Sequence, residues 1–238
     1  MMHCFENSQG LFDGDDAQNY IPLLKDEARD ALLNGQWFIK IDGSNGLLVF
    51  NDESKSYDIY RRFDDKKDKF RNGVPDGYIN LPVSRNLDTY ESESASHKYY
   101  QQFIPRPIET AKGKEPAMWR TLYSQVDKAC SEGRLNGADG TPMKYHSIEL
   151  VGKNFSGTPG VDGIGIALHS AQVMKKPECL PNTDLEWFEY FHNLFGGLCH
   201  EGIIVSWNGL SWKIRAEWFR KDSAWKTRKN TADAPVMI

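Results

Sequence analysis

The apolar positions of this chain fall mostly into short runs with strand spacing, separated by Gly-, Asn- and Asp-rich reversals and by a few longer segments with helix spacing. The richest run is residues 36–50, QWFIKIDGSNGLLVF. It predicts two strands, Trp37–Ile41 and Leu47–Phe50. Gly and Asn tolerate positive φ, so the intervening Asp42–Gly46 predicts the tight reversal of a hairpin. Ahead of it, Ile21–Leu33 predicts an amphipathic helix. Pro22 falls in its first turn, where a missing N–H is tolerated, and Asn34-Gly35 supplies the stop. Residues 1–20 are polar and read as a loosely held lead-in.

Beyond the hairpin, a turn at Asn51–Ser56 leads into a β-branched and aromatic third strand, Tyr57–Phe63. Asp64–Asn72 is strongly charged, either a solvated loop or a segment facing phosphate. Pro75–Pro82 reads as a turn-rich connector and residues 84–116 as an irregular excursion. Met118–Ser131 predicts a helix closed by Glu132-Gly133, Asn136–Thr141 a hairpin-type turn, and Tyr145–Gly152 a strand. A Gly-rich loop over Asn154–Gly165 precedes a strand at Ile166–Ala171. Asp184–Phe195 predicts an amphipathic helix begun by Asp184 and ended by Gly196-Gly197. Glu201–Trp207 and Ser211–Ala216 predict a hairpin through Asn208-Gly209. Strands do not alternate with helices here, so the pattern predicts an α+β fold of antiparallel sheets flanked by helices. The expected organisation is a body over residues 21–220, interrupted about 64–116, with a basic and polar tail over 221–238.

Composition narrows the class. At 238 residues the chain forms one large domain or two small ones, and 39% hydrophobic with 12% aromatic residues argues for a real core. A net charge of −4 excludes a uniformly basic nucleic-acid coat, so phosphate binding requires a local patch. Cys4, Cys130, Cys179 and Cys199 lie far apart without CxxC spacing, which argues against a structural zinc and for free thiols in a reducing compartment. With no bilayer-length apolar run and no signal-peptide pattern, a soluble cytoplasmic protein without membrane contact is expected.

One residue in the first run carries chemistry. Lys40 ends the strand among Trp, Phe and Ile, where desolvation disfavours an ammonium and favours the amine that can act as a nucleophile. A second Gly-rich pattern, GVDGIG within residues 160–165, has no helix-forming run after it and no βαβ context, which argues against a dinucleotide site.

Lys40-Ile41-Asp42-Gly43-Ser44-Asn45 resembles the K-x-D-G-x-N motif of the ATP-dependent polynucleotide ligases and their covalent nucleotidyltransferase superfamily. Further segments match that superfamily in order: Tyr60–Asp64 with its arginines, Ser147–Gly152 around Glu149, His200–Val205 around Glu201, and Trp212–Arg215. The layout is most similar to compact, single-domain 5′–3′ RNA ligases. The resemblance implies an ATP-grasp-like nucleotidyltransferase (adenylation) fold and an ATP-dependent joining of 5′-phosphate and 3′-hydroxyl RNA ends. The implied intermediates are a lysyl-AMP and an adenylylated 5′ end.

The same resemblance implies roles for the matching residues. Lys40 is the nucleophile, with Glu201 and Lys213 sharing catalysis. Asp42, Asn45, Arg62 (or Arg61), Glu149, Lys213 and Arg215 fall to nucleotide binding. Lys213 and Arg215 alternate on one strand and so share a face. Glu149 and Glu201 are hard oxygen ligands suited to magnesium, with manganese as a substitute. Relatives commonly carry Glu before the lysine; Ile39 stands here, so the adenine contact there falls to its backbone or elsewhere. Arg215 replaces a second lysine, keeping charge but changing geometry. His169 and Phe155 are candidates for stacking on adenine. Lys66–Arg71 and Arg220–Lys229, the latter interleaved with Trp218, Phe219 and Trp225, are candidate RNA-backbone contacts; the alternatives are a solvated loop for the first and a core-packing strand end with a solvated basic tail for the second. No obligate protein partner is called for. The alternatives are a DNA ligase or GTP-using capping-type enzyme, and a non-catalytic RNA-end binding protein.

Overall fold

A computed structural model of the chain describes residues 2–7, 20–63, 76–81, 98–102, 116–152, 155, 163–197, 201–219 and 235–238. The elements in order are β1 (Met2–His3), β2 (Phe5–Asn7), β3 (Tyr20–Leu24), α1 (Asp26–Asn34), β4 (Gln36–Lys40), β5 (Ser44–Asn51) and β6 (Ser56–Phe63). They continue with β7 (Tyr78–Leu81), β8 (Lys98–Gln102), α2 (Pro116–Ser131), β9 (Tyr145–Gly152) and β10 (Ile164–Leu168). A 3₁₀ turn, His169–Ala171, leads to β11 (Val173–Met174), α3 (Asp184–Gly197), β12 (Gly202–Trp207) and β13 (Leu210–Arg215). The architecture is α+β, as the apolar pattern predicts.

Two large sheets carry the fold. The first runs β1-β13-β12-β4-β11, antiparallel except for the parallel β1–β13 pair; the second runs β10-β9-β5-β6-β8-β7 and is antiparallel throughout. Their cores differ in composition. Against the first sheet, α3 buries Trp187, Phe191 and Phe195 at successive i, i+4 positions, and these pack with Trp37, Trp212 and Ile203. Against the second, α2 buries Leu122, Tyr123 and Val126 on Leu48, Ile59, Ile148 and Ile166. A third, small cluster of Ile41, Val151 and Ala167, with Met237 packed on it, joins the two.

The largest departure from expectation is at the first run. β4 belongs to the first sheet and β5 to the second, so residues 36–51 form no hairpin. Of the expected turn, only Asp42 and Gly43 lie in the crossing between sheets, Ser44–Gly46 already pairing within β5, and neither Gly43 nor Gly46 has a positive φ. Their lack of a side chain serves close approach instead. A Cβ on Gly43 would lie 2.5 Å from the Leu150 carbonyl oxygen and 2.6 Å from Glu149 Cγ, and one on Gly46 would lie 2.7 Å from the Tyr60 carbonyl oxygen. By contrast Asn208 (φ +48°) and Gly209 (φ +72°) make the reversal of the β12–β13 hairpin as expected, both in the left-handed region that such turns demand.

Other boundaries shift for tertiary reasons. Ile21–Leu24 is strand rather than helix because Tyr20 and Leu24 are buried when β3 pairs with β2; the helix starts only at Asp26. Residues 2–7 are no loose lead-in: Cys4 and Phe5 are fully buried, and β1 pairs with β13. The connector at 75–82 and the excursion at 84–116 each contain a strand, β7 and β8, which extend the second sheet beyond β6. The strand expected at Ile166–Ala171 is displaced toward its start and ends in the 3₁₀ turn. At α3 the cap is the Thr183–Glu186 box, in which Glu186 N–H donates to Thr183 Oγ1 and Thr183 N–H to Glu186 Oε2. Asp184 instead accepts from Arg29 of α1 and from Leu24 N–H, tying both to α3. Among the described residues, no helix is long and apolar enough to cross a membrane.

Candidate functional site

Register places the first half of the site. Gly202 of β12 lies opposite Lys40 on one side and Arg215 on the other, so these three share a face of the first sheet. The next row on that face is Phe38, Ile204 and Lys213. The opposite face holds Trp37, Ile203, Trp212 and Ile214, all buried in the aromatic core. Strand alternation thus puts three cations on the face away from the core, as the K-x-R spacing predicts for Lys213 and Arg215.

Glu201 sits just before β12 and folds its carboxylate back between two of them. Lys40 Nζ donates to Oε2, and Arg215 Nη2 donates to Oε1 at 3.1 Å. Gly202 lets the strands close at this point, because a Cβ there would fall on the Ile214 carbonyl. Arg215 is braced further: Nη2 pairs with Glu217, and its backbone N–H donates to Tyr20 Oη at 3.2 Å. Burial pushes the Tyr20 phenol well above its ordinary range, against a smaller opposing effect of that hydrogen bond, so it acts here as a neutral acceptor. Arg215 Nε, shielded from solvent, has no acceptor among the described residues. The environment of Lys40 therefore differs from the apolar strand end expected of it; its half-buried ammonium is held by a carboxylate.

The second half lies on β9 and its neighbours. Glu149, opposite Asn45 on β5 and Ala167 on β10, is buried. His169 Nε2 is 2.9 Å from Glu149 Oε2, and its Nδ1 is 2.8 Å from Ser147 Oγ. Both ring nitrogens of His169 are thus committed in the plane of the ring. Asn45 Oδ1 accepts from Tyr100 Oη at 3.4 Å. Arg62 pairs with Tyr100 across β6–β8 and shares the face of Asn45 and Glu149, whereas Arg61, opposite Gly46, lies on the other face. Of the two arginines, register puts Arg62 on the Glu149 side.

The halves meet at Ile41–Gly43. Ile41 packs on Val151 and Ala167, Gly43 lies against the stem of Glu149, and Ser44 Oγ donates to the Phe155 carbonyl at 3.1 Å. The 3₁₀ turn at His169 touches both β9 and β4. Lys40 and Glu149 are therefore linked through one short crossing. Asp42 lies within that crossing, half-buried.

Several expected sites are placed otherwise. Ile39 N–H is committed to the Gln172 carbonyl at 2.8 Å, so that amide is not open to a ligand. Phe155 is buried near Trp119 in the second core. Trp218 and Phe219 pack on Tyr20 at 4.8 and 5.0 Å between ring centroids, as core rather than as base platforms. Lys66–Arg71, Trp225 and Arg220–Lys229 lie outside the described residues.

Among the described residues, no three His, Cys, Asp or Glu side chains come together as a metal cage. Glu149 and Glu201 already have partners, so their hard oxygens fit magnesium only as an ion shared with phosphates and water, its usual mode. Ser147, Tyr100 and Gln172 were absent from the sequence-based set. Ser147 alone had a signal, standing two residues before Glu149 on a strand and hence on its face. No protein-family model matches the chain, and no curated protein matches its sequence.

Proposed function

We propose that the protein is an ATP-dependent RNA ligase with a nucleotidyltransferase fold, and that Lys40 takes up AMP. The observation that carries this reading is the arrangement around Glu201: a lysine and an arginine from the strands either side of β12 meet one carboxylate, with Lys213 on the same face. Phosphoryl transfer asks mainly for positioning and charge neutralisation, and this face supplies both. The Lys40 ammonium first gives a proton to Glu201 or water, and the free amine forms a P–N bond to the α-phosphorus of ATP. The bond from the α-phosphorus to the α,β-bridging oxygen breaks, pyrophosphate leaves with that oxygen, and the nitrogen gives its second proton to water. Lys213 and Arg215 hold phosphate oxygens. Magnesium bound with the nucleotide would be held by Glu149 and Glu201, and supplies neutralisation of phosphate charge. AMP then moves to the 5′-phosphate of RNA, with Arg62 as the phosphate contact, and the 3′-hydroxyl displaces it.

Intact mass after incubation with ATP and magnesium tests this. The expected result is a gain of one adenylyl group, absent in Lys40→Ala and lost on adding 5′-phosphorylated RNA. Loading from GTP instead, or discharge only to DNA, replaces the substrate assignment. Folded, unadenylylated protein that gains no nucleotide overturns the enzyme reading in favour of RNA-end binding.

A further inference from the structure

Gln172 lies between the 3₁₀ turn and β11 and is almost wholly buried, at 2% exposure, although nothing in the chemistry above uses it. Its amide is fully engaged. Nε2 donates to the Leu168 carbonyl at 3.1 Å and to the Val236 carbonyl at 2.8 Å, while Oε1 accepts from Val236 N–H at 2.9 Å. Two carbonyls and one N–H admit only this orientation of the amide. The side chain reads the backbone of residue 236 at both its donor and its acceptor, as a neighbouring strand would.

That segment is docked along its length. Met237 bridges Ala167 of β10, Ile238 N–H donates to the Ile166 carbonyl at 3.0 Å, and Pro235 is buried. Met237 packs on Ile41, Val151 and Ala167, the cluster that joins the two sheets, and Gly165 leaves the space its Cε fills. Gln172 reaches the other way through its main chain, where its carbonyl accepts from Ile39 N–H, one residue before Lys40. Leu168, which its amide also holds, precedes His169, the partner of Glu149.

We propose that Gln172 and the docked segment 235–238 form a latch that positions Lys40 against the Glu149–His169 half of the site. Gln172 is a positioning residue: it touches no reacting atom and acts through Ile39 on one side and Leu168 on the other. Met237 fills the joint at Ile41. The consequence for catalysis rests on the assignment of Lys40 as nucleophile; the mechanical link does not.

The test uses the full chain with Gln172→Glu, which sets a carboxylate against two carbonyl oxygens, and with Met237→Ser and Met237→Leu. Hydrogen exchange is read at residues 36–41 and 164–172, and adenylylation of Lys40 is read at saturating ATP. Gln172→Glu and Met237→Ser are expected to lose protection in both stretches. A near-attack geometry disturbed by about an ångström lowers the labelling rate roughly ten- to a hundredfold. Protection elsewhere, as in α2, is expected to stay at wild-type level, which a general loss of fold would not allow, and Met237→Leu, which restores apolar volume, is expected to recover both readouts. Protection and labelling at wild-type level in Gln172→Glu and Met237→Ser overturn the latch. If wild-type protein takes up no nucleotide, the ligase reading falls, and exchange alone decides the latch: lost protection upholds it, and unchanged protection overturns it.

Discussion

The two halves of the site satisfy a buried or half-buried carboxylate in opposite ways. Glu201 is held by charge, between the Lys40 ammonium and the Arg215 guanidinium on the strands either side of β12. Glu149, buried to a similar extent, is held through the His169 imidazole, itself bonded to Ser147. In the proposed reaction the difference separates two tasks. A carboxylate between fixed cations orients them, limits their mutual repulsion and can meet a metal only as one shared with phosphates and water. A carboxylate with an imidazole partner keeps acceptor capacity for a cation that arrives with a ligand. In the proposed reaction the first arrangement also changes as it works, because forming the P–N bond removes the charge on Lys40 and releases Glu201 Oε2.

The largest effect that would break this comparison is at Lys40. Lys40→Ala is expected to abolish nucleotide uptake, and Lys40→Arg to abolish it equally while keeping the ion pair to Glu201 and therefore the melting temperature. Uptake by Lys40→Arg, measured by intact mass, would show that the residue serves charge rather than nucleophilicity. Next is the pair of carboxylates. Glu201→Gln removes hydrogen bonds between charged groups and leaves two cations facing each other, so a loss of about 1.5–3 kcal/mol is expected in denaturant titration. Glu149→Gln retains an acceptor for His169 and is expected to lose less, while raising the magnesium concentration needed for labelling. Equal losses would erase the distinction between the halves.

The glycines give a smaller, purely steric version. Gly43→Ala and Gly202→Ala each press a Cβ on a backbone carbonyl, Leu150 and Ile214 respectively, and are expected to destabilise by roughly 1–3 kcal/mol in thermal unfolding. The smallest effect concerns His146, behind the second sheet. Burial lowers its pKa from 6.5, only partly offset by its hydrogen bond to the Leu135 carbonyl. Below pH 6.5 the unfolded chain binds this proton and the fold does not, so stability declines as pH falls from there toward the folded pKa. His146→Asn is expected to flatten that stretch of the stability-versus-pH curve.

Local patterns made parts of the molecule legible. The alternation in Tyr145–Gly152 located β9, the Asn208-Gly209 turn located the β12–β13 hairpin, and the apolar stripe of α3 located its buried face. The K-x-R spacing put Lys213 and Arg215 on one face before any fold was known. Each of these depends on neighbours a few residues apart, where backbone geometry leaves few choices. Other features depend on which strand pairs with which. Residues 36–51 contain everything a hairpin needs, yet β4 and β5 pair with β12 and β9, because burial on two separate cores outweighs one local turn. Gly43 and Gly46 read as turn residues when their constraint was contact with strands distant in sequence.

The sequence by itself determined the class of fold, the strands with clear period, and the residue types able to carry phosphate chemistry. The tertiary structure decided that Lys40 faces Glu201 and Arg215, that Arg62 rather than Arg61 shares the Glu149 face, and that Gln172 binds segment 235–238 beside them. Side-chain direction within a strand follows from period alone, but the partner across the strand follows from long-range pairing, where separation along the chain carries no signal.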